Sequence, residues 1–197
     1  TIVQYQSFDN QFAYDDGTQE KAYFLNLASA APGKIAMEYA LYQPDTLRGL
    51  AIKFVRQVPS AAGKDFSLVV YRSIAINGAN DDIIYQQDYY FPQYEVDPNG
   101  FSIFKFDQPV PMDGGVYYVG LTVPAAGVSD SLMIGLDYNR LNGTHRYYNV
   151  LGIWEPSLLQ GALMMRPIVG APIPVSIDSL NFQDENWSIY PNPTNDY

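Results

Sequence analysis

Hydrophobic residues occupy every second position in several stretches of the chain. Leu50, Ile52 and Phe54 follow this pattern, and the stretch 66–71 repeats it. A period of two is typical of β-strands that bury one face, because successive side chains point to opposite sides of a sheet. Further strand-like segments lie at 22–28, 34–42, 83–91, 100–107, 116–123, 132–138 and 161–169. The pattern therefore predicts an all-β fold.

Turn signals separate these segments. Ala31-Pro-Gly33, Asp97-Pro-Asn-Gly100 and Asp113-Gly-Gly115 each combine residues that favour tight turns. The segment 34–42 taken alone also fits a helix, but the turn signal directly before it favours a strand. About nine or ten strands at this spacing predict an antiparallel β-sandwich of jelly-roll-like type rather than a parallel α/β sheet.

The strand pattern ends near residue 171. Residues 171–175 contain two prolines, and the following residues to 188 are acidic and poor in turn signals. Such a composition favours an extended backbone. We therefore expect a sandwich domain at 1–170, a proline-containing acidic linker at 171–187, and a short separate element at 188–197 that starts like a strand.

The composition supports one globular domain with a tail. Of the 197 residues, 47% are hydrophobic and only 16% are charged, so a disordered chain is excluded. The 17 Tyr, 10 Phe, 15 Gly and 14 Pro suit pleated strands and tight turns better than long helices.

Charge and cysteine content exclude several classes of function. The net charge of −10 repels phosphate groups, and no Lys/Arg cluster offsets it locally, so nucleic acid is not an expected partner. The chain has no cysteine, which removes disulfides, thiolate nucleophiles and Cys-based zinc sites.

Two further features concern export and membranes. No apolar run approaches the ~20 residues of a membrane span, so membrane insertion is not expected. The sequence starts at Thr1 without an initiator Met or the basic and apolar regions of a signal peptide. We expect the chain to be a piece of a longer precursor, with further domains upstream.

Four stretches taken together resemble a known module. They are Ala13-Tyr-Asp-Asp-Gly-Thr-Gln-Glu20, Gly115-Val-Tyr-Tyr-Val-Gly120, Ile134-Gly-Leu-Asp137 and Gly161-Ala-Leu-Met-Met-Arg-Pro167. The set resembles a β-sandwich module of large exported Bacteroidetes proteins, in which it lies beside the C-terminal signal of the type IX secretion system. The resemblance implies a secreted or cell-surface protein that is exported across the outer membrane.

The end of the chain adds to this resemblance. Tyr190, Pro191, Asn192, Pro193 and Thr194 follow the proline-containing linker. They look like the opening motif of the type A sorting domain, a small β-domain that the secretion machinery reads. The later strands and the basic C-terminus of that domain are not present here.

An acidic turn is a candidate calcium site. Asp15, Asp16 and Glu20 lie close together in the sequence, and Asp137 with Asn139 offers further oxygen atoms from another loop. Calcium takes six to eight oxygen ligands, and clustered carboxylates with main-chain carbonyls often supply them. The alternative is a solvated turn in which aspartates cap main-chain N–H groups. A structural Ca²⁺ is the one cofactor that the sequence suggests.

A second candidate is a sugar-binding surface. Tyr147, Tyr148 and Trp154 offer aromatic faces, and Arg146 and Asn149 could fix sugar hydroxyls. The alternative is that these aromatics belong to the core, which we favour for Trp154 because Trp is highly buried on average. The two tyrosines are adjacent, so in a strand only one can point inward.

No catalytic constellation is visible. His145 is the only histidine, and a single His in a polar loop is more often a surface residue than a general base. The sequence contains no Gly-x-Ser-x-Gly elbow, phosphate loop or His-x-x-x-His pair. We therefore expect no enzyme activity.

These observations lead to one main hypothesis and two alternatives. The main one is a non-catalytic accessory module, which binds a glycan or a surface protein or serves as a spacer before the sorting signal. The first alternative is a carbohydrate-active hydrolase with an Asp/Glu pair. The second is a purely structural stalk.

Overall fold

The computed structural model describes residues 10–27, 32–76, 80–123, 132–140 and 145–173. The sorting motif at 190–194 and most of the predicted linker lie outside these ranges. The described residues form twelve strands, so the prediction of nine or ten was low. In chain order they are β1 Lys21–Tyr23, β2 Gly33–Leu41, β3 Asp45–Ile52, β4 Phe66–Ser73, β5 Asp82–Tyr90, β6 Ser102–Met112, β7 Gly115–Val123, β8 Ile134–Asp137, β9 Arg146–Asn149, β10 Glu155–Pro156, β11 Ala162–Leu163 and β12 Met165–Val169.

The all-β prediction is confirmed. The strands form three sheets: one of six strands in the order β10-β9-β2-β7-β4-β5, and two of three strands in the orders β1-β8-β11 and β12-β3-β6. Every strand pairing is antiparallel. The arrangement is consistent with a β-sandwich. The described part of the chain contains no helix of the length and hydrophobicity needed to cross a bilayer.

The two three-stranded sheets join through the main chain of Lys53. Its N–H donates to the carbonyl of Met164 at 3.0 Å, and its carbonyl accepts the N–H of Gly135 at 2.8 Å. The Gly135 carbonyl in turn accepts the N–H of Met164 at 2.9 Å. The two small sheets therefore form one hydrogen-bonded layer.

The core receives side chains from all three sheets. Met37, Leu50, Leu121 and Ile134 represent the buried faces of β2, β3, β7 and β8. Burial alternates over most of β2 and β7, because one face of the six-stranded sheet packs against the core. In β3 and β4, for which the period of two predicted a single buried face, residues 49–52 and 68–71 are buried on both faces. Burying this apolar surface is the main favourable contribution to folding.

The opposite face of the six-stranded sheet carries a smaller buried cluster. Ala36, Val69, Tyr71, Ile74 and Trp154 form it. Gly120 lies between β2 and β4 on this face, and a Cβ there would approach the Ile35 carbonyl oxygen to 1.9 Å, so only glycine fits. The outer face is thus partly covered by residues after β9 rather than fully solvated.

Candidate functional site

Strand β9 sends the predicted sugar-binding residues to opposite faces. Tyr148 is paired with Ile35 of β2 and packs against the main core, whereas Tyr147 is paired with Ala36 and packs against the outer cluster. Arg146 lies on the same face as Tyr148, because residues two apart in a strand share a face. The four predicted residues therefore do not form one continuous surface.

Tyr148 lines an open groove with a cavity volume of about 440 Å³. The groove lies between the residues after β1, the end of β9 and the loop after β10. Its lining residues are Tyr23, Phe24, Leu25, Asn26, Tyr148, Val150, Ser157, Leu158 and Leu159. We call this feature the groove. It combines three aromatic rings, aliphatic side chains and two neutral polar groups.

The apolar rim of the groove is exposed to solvent. Phe24 is 50% exposed, Leu159 is 59% exposed and Leu158 is 94% exposed. Scattered single hydrophobic residues are normal at a protein surface, but these three line one depression. An exposed apolar concavity with a few polar groups is the usual form of a ligand site.

A carboxylate lies beside the groove. The Tyr148 hydroxyl donates to Glu155 Oε2 at 2.6 Å, and Glu155 is paired with Tyr148 across β9 and β10. The pKa of Tyr148 is raised, mainly because its hydroxyl donates this hydrogen bond to a carboxylate. Tyr148 therefore keeps its proton, and its ring is held in a fixed orientation at the groove wall.

Arg146 supports the groove without lining it. Its guanidinium donates to the carbonyls of Leu159 at 2.6 Å and Gly161 at 3.2 Å, and it lies 4.5 Å from the centre of the Tyr23 ring. The side chain is fully buried, and burial lowers the pKa of Arg146. Arg146 thus fixes the position of the 159–161 segment and is not a surface donor for a sugar.

Trp154 is buried on the outer face of the six-stranded sheet, in agreement with the buried role that we favoured from the high average burial of Trp. It is 1% exposed, and its ring meets the Tyr71 ring edge-on at 5.5 Å. The indole Nε1 donates to Asp81 Oδ1 at 2.8 Å. Neither face of this ring is available for stacking on a sugar.

Tyr147 belongs to a polar cluster on the outer face. The hydroxyls of Tyr147 and Tyr118 both donate to Glu38 Oε2, at 3.2 and 3.1 Å. His145 Nδ1 lies 3.4 Å from Glu38 Oε1, and the His145 ring stacks on Tyr14 at 4.6 Å. Burial and the Glu38 carboxylate raise the pKa of Tyr118 to about 12. The single histidine is therefore packed beside this carboxylate.

Sequence reasoning missed Phe24, Asn26 and Ser157 as groove residues. Phe24 and Asn26 occupy the exposed positions of a short alternating stretch in which Tyr23 and Leu25 are buried. An aromatic residue at an exposed position of an alternating pattern was an available signal for Phe24. No comparable signal existed for Ser157, because a loop residue acquires its neighbours only through tertiary structure.

The acidic turn, residues 13–20, contains a buried ion pair. Both carboxylate oxygens of Asp15 accept hydrogen bonds from Arg166. Arg166 Nε donates to Asp15 Oδ2 at 3.1 Å, and Arg166 Nη2 donates to Asp15 Oδ1. The Arg166 guanidinium also lies 4.0 Å from the centre of the Phe101 ring. Asp15 further accepts the N–H of Gly17 at 3.0 Å. This carboxylate is a buried partner of Arg166, 151 residues away.

The other predicted calcium residues do come together. Asp137 Oδ2 accepts the N–H of Asp16 at 2.6 Å, and Asp137 Oδ1 accepts the N–H of Asn139 at 2.9 Å. Glu20 Oε2 accepts the N–H of Tyr138 at 2.9 Å. The acidic turn and the end of β8 are thus joined by carboxylates that accept main-chain N–H groups.

A threonine hydroxyl links two of these carboxylates. Thr18 Oγ1 lies 2.6 Å from Asp16 Oδ1 and 2.9 Å from Glu20 Oε1, and its single proton can serve only one of them. Arg140 Nε lies 3.7 Å from Asp16 Oδ2. A calcium ion would have to compete with these donors for the carboxylate oxygens. Within the described ranges, no group of three or more His, Asp or Glu side chains has a metal-binding arrangement, and the calcium site stays a prediction.

Asp16 and Asp137 have opposite pKa shifts. Burial raises the pKa of Asp137, and the nearby charges of Asp16 and Glu20 add to this rise. The pKa of Asp16 is lowered, first by the hydrogen bond from the Thr18 side chain. Asp16 is therefore the more readily ionised carboxyl of the two, and Asp137 is the more readily protonated one.

Comparisons with known proteins do not assign the chain to a family. No protein-family model matches the sequence, and no significant match to a curated protein is found.

Proposed function

We propose that this chain is a non-catalytic accessory module of a secreted or cell-surface bacterial protein, and that the groove binds a glycan. The observation that carries the proposal is the groove itself, in which Phe24 and Tyr148 present aromatic surface beside Asn26 and Ser157. Its volume of about 440 Å³ lies in the range of small-ligand sites, about 300–1,000 Å³.

The chemistry of the lining suits a sugar. Sugar rings present apolar C–H faces that pack on aromatic rings, while their hydroxyls need hydrogen-bond donors and acceptors. Asn26 supplies an amide at an exposed position of the lining, and Glu155, beside the groove, accepts a hydrogen bond from the Tyr148 hydroxyl. A neutral glycan is favoured over an anionic one here, since this carboxylate would repel negative charge.

A glycan array followed by calorimetry on the best ligand tests this proposal. Tyr148→Ala and Phe24→Ala should each weaken binding about tenfold or more, because each removes an aromatic contact surface. Tyr147→Ala is the matched control: it alters the neighbouring tyrosine on the opposite face and should leave the affinity unchanged. Circular dichroism establishes that each variant is folded.

Two results would contradict the proposal. If no glycan binds, the spacer or stalk hypothesis is favoured instead. If a glycan binds but Tyr147→Ala weakens it more than Tyr148→Ala, the outer face rather than the groove is the site.

We further propose that the parent protein is a cargo of the type IX secretion system. The support is the Tyr190-Pro-Asn-Pro-Thr194 motif after the linker, together with the four stretches that resemble the exported module. The precursor should continue with the remaining strands and the basic end of a sorting domain. A precursor sequence that continues into an unrelated domain would overturn this placement.

A hydrolase is the second candidate, and one observation favours it. Asp16 and Asp137 have pKa shifts of opposite sign, which is a pattern of acid–base pairs in glycosidases. Neither residue lines the groove. Incubating the bound glycan with the protein and analysing the products by chromatography separates the two candidates. Product formation that Asp137→Asn abolishes would establish the hydrolase.

A further inference from the structure

A second pocket lies around the end of β3. Its volume is about 300 Å³. The lining residues are Gln19, Lys53, Phe54, Val55, Arg56, Tyr94, Glu95, Val96 and Pro98. We call it the Lys53 pocket. It shares no lining residue with the groove, so it is a separate feature of the molecule.

Lys53 is a buried cation in the wall of this pocket. The residue is 6% exposed, and its main chain joins the two three-stranded sheets. Its ammonium has one hydrogen-bond partner within the described ranges, the Asp97 carbonyl, at a long 3.5 Å. Among the residues that the structure describes, no carboxylate oxygen lies within ion-pair distance of Lys53 Nζ. An ammonium has three donors, so this one retains hydrogen-bonding capacity.

The surroundings of Lys53 leave its charge incompletely balanced. Burial lowers the pKa of Lys53, and Arg56 acts in the same direction, whereas the charges of Asp97 and Glu95 oppose it. Glu95 also lines the pocket, and its charge opposes an incoming anion, but its carboxylate oxygens do not come within ion-pair distance of the Lys53 ammonium. Glu95 Oε1 instead lies 3.0 Å from the Ser102 hydroxyl. A buried charge without a close partner is unfavourable, and an incoming anion would relieve that cost.

Arg56 supplies a second cation to the same pocket. Its Nη2 donates to the Tyr94 carbonyl at 3.3 Å, and its guanidinium lies 5.5 Å from the centre of the Tyr94 ring. A guanidinium has five N–H donors in a planar fork that matches a carboxylate. The contact with Tyr94 orients this fork and leaves other donors available.

Apolar side chains complete the lining. Phe54, Val55, Val96 and Pro98 provide carbon surface beside the two cations. We propose that the Lys53 pocket binds a small organic carboxylate, whose carboxyl group contacts the Lys53 ammonium and the Arg56 guanidinium while its ring packs on the apolar wall. Such a carboxyl can belong to an aromatic acid or to an acidic sugar, because the cations recognise the same group in both.

Calorimetry and amide NMR with two matched probe pairs test this site. Benzoate is compared with benzamide, which has the same shape without the charge, and glucuronate is compared with glucose. The carboxylate of at least one pair should bind about tenfold or more tighter than its neutral counterpart, because the contacts it makes are charge-assisted. Saturable NMR shifts should concentrate at Lys53, Val55 and Val96. The better pair identifies the source of the carboxyl.

Two variants and one control complete the experiment. Lys53→Met keeps the length of the side chain in a buried site and should abolish carboxylate binding. Arg56→Gln alters a more exposed residue and should weaken binding several-fold, so it remains informative if Lys53→Met does not fold. Arg72→Gln removes an exposed positive charge on β4 and should have no effect.

Three outcomes would overturn the proposal: no saturable shifts with either carboxylate, equal binding of the acid and its neutral counterpart, or an effect of Arg72→Gln as large as that of Arg56→Gln. None of these depends on the groove. Tyr148→Ala should leave carboxylate binding unchanged, so failure here and failure of the glycan proposal are distinguishable.

Discussion

The acidic turn and the groove belong to the same sandwich but expose opposite kinds of surface. In the acidic turn and at the adjoining end of β8, the carboxylates of Asp15, Glu20 and Asp137 accept hydrogen bonds from Arg166 or from main-chain N–H groups. In the groove, the large apolar side chains of Phe24 and Leu158 are exposed to solvent. The carboxylates of the acidic turn thus find hydrogen-bond partners within the molecule, whereas the apolar side chains of the groove face solvent.

The difference shows which kind of cluster indicates binding. Charged residues grouped in sequence can satisfy one another and the backbone, and such a group then stabilises the fold. Exposed apolar surface in a concavity has no such partner within the molecule, and it gains free energy when a ligand covers it. We therefore assign a structural role to Asp15, and the groove remains the proposed binding site.

The strongest test of this comparison removes the buried ion pair. Asp15→Ala leaves the Arg166 guanidinium buried without its carboxylate, so the free energy of unfolding should fall by about 3–5 kcal/mol. Urea unfolding followed by circular dichroism measures this. Asp113→Ala, in an exposed turn, is the control and should change stability by less than about 0.5 kcal/mol. A loss below about 1 kcal/mol for Asp15→Ala would remove the structural role.

Calcium provides the second test, because it would convert the acidic turn into a binding site. A ligand that binds only the folded state at ten times its Kd adds about 1.4 kcal/mol to the free energy of unfolding. The predicted site therefore requires that millimolar Ca²⁺ raises Tm and that EDTA lowers it, with the effect lost in Asp16→Asn. An unchanged Tm removes calcium and leaves the acidic turn purely structural.

The pH dependence of Asp137 sharpens the same comparison. The pKa of Asp137 in the folded protein lies above the ordinary value of 3.8. The protonated side chain therefore stabilises the folded state. This stabilisation is fully present below about pH 3.8 and is lost as the pH rises through the pKa of the folded protein. Wild type should therefore gain stability relative to Asp137→Asn when the pH falls from 7 to 4. Thermal melts of both proteins across this range measure the gap. Asp113→Asn should show no such trend, and a constant gap for Asp137→Asn would contradict the raised pKa.

The smallest effect on stability is expected in the groove. Leu158→Ser changes a side chain that is 94% exposed, so the free energy of unfolding should change by less than about 0.5 kcal/mol. Binding of the glycan should nevertheless weaken, since the rim loses apolar contact. A large loss of stability would show that Leu158 packs against the protein and is not a free part of the rim.

Some of this molecule could be predicted from local patterns. Alternation located β3 and β4, because a period of two is typical of strands. The expectation that each of them buries only one face was wrong, since consecutive residues at the end of β3 and in the middle of β4 are buried on both faces. The segment 22–28 was predicted as one strand. However, β1 ends at Tyr23, because the partner strand β8 pairs only with Lys21–Tyr23. Two-residue strands such as β10 and β11 are too short to show any period.

The sites were harder to predict than the strands. Tyr147 and Tyr148 are identical in type and adjacent in sequence, and adjacency showed only that they would face opposite sides. The register of β9 on β2 decided which of them reached the groove. Likewise, nothing local distinguished Asp15, which pairs with Arg166, from Asp16, which faces Asp137.

The sequence by itself determined the all-β class, the main strands and the acidic character of this protein, because these follow from composition and short-range periodicity. Tertiary structure alone decided that Asp15 meets Arg166 and that Phe24 lies beside Tyr148 in one groove. The physical reason is that antiparallel pairing brings together residues far apart in the chain. The register and packing of whole sheets, rather than any local pattern, select those partners.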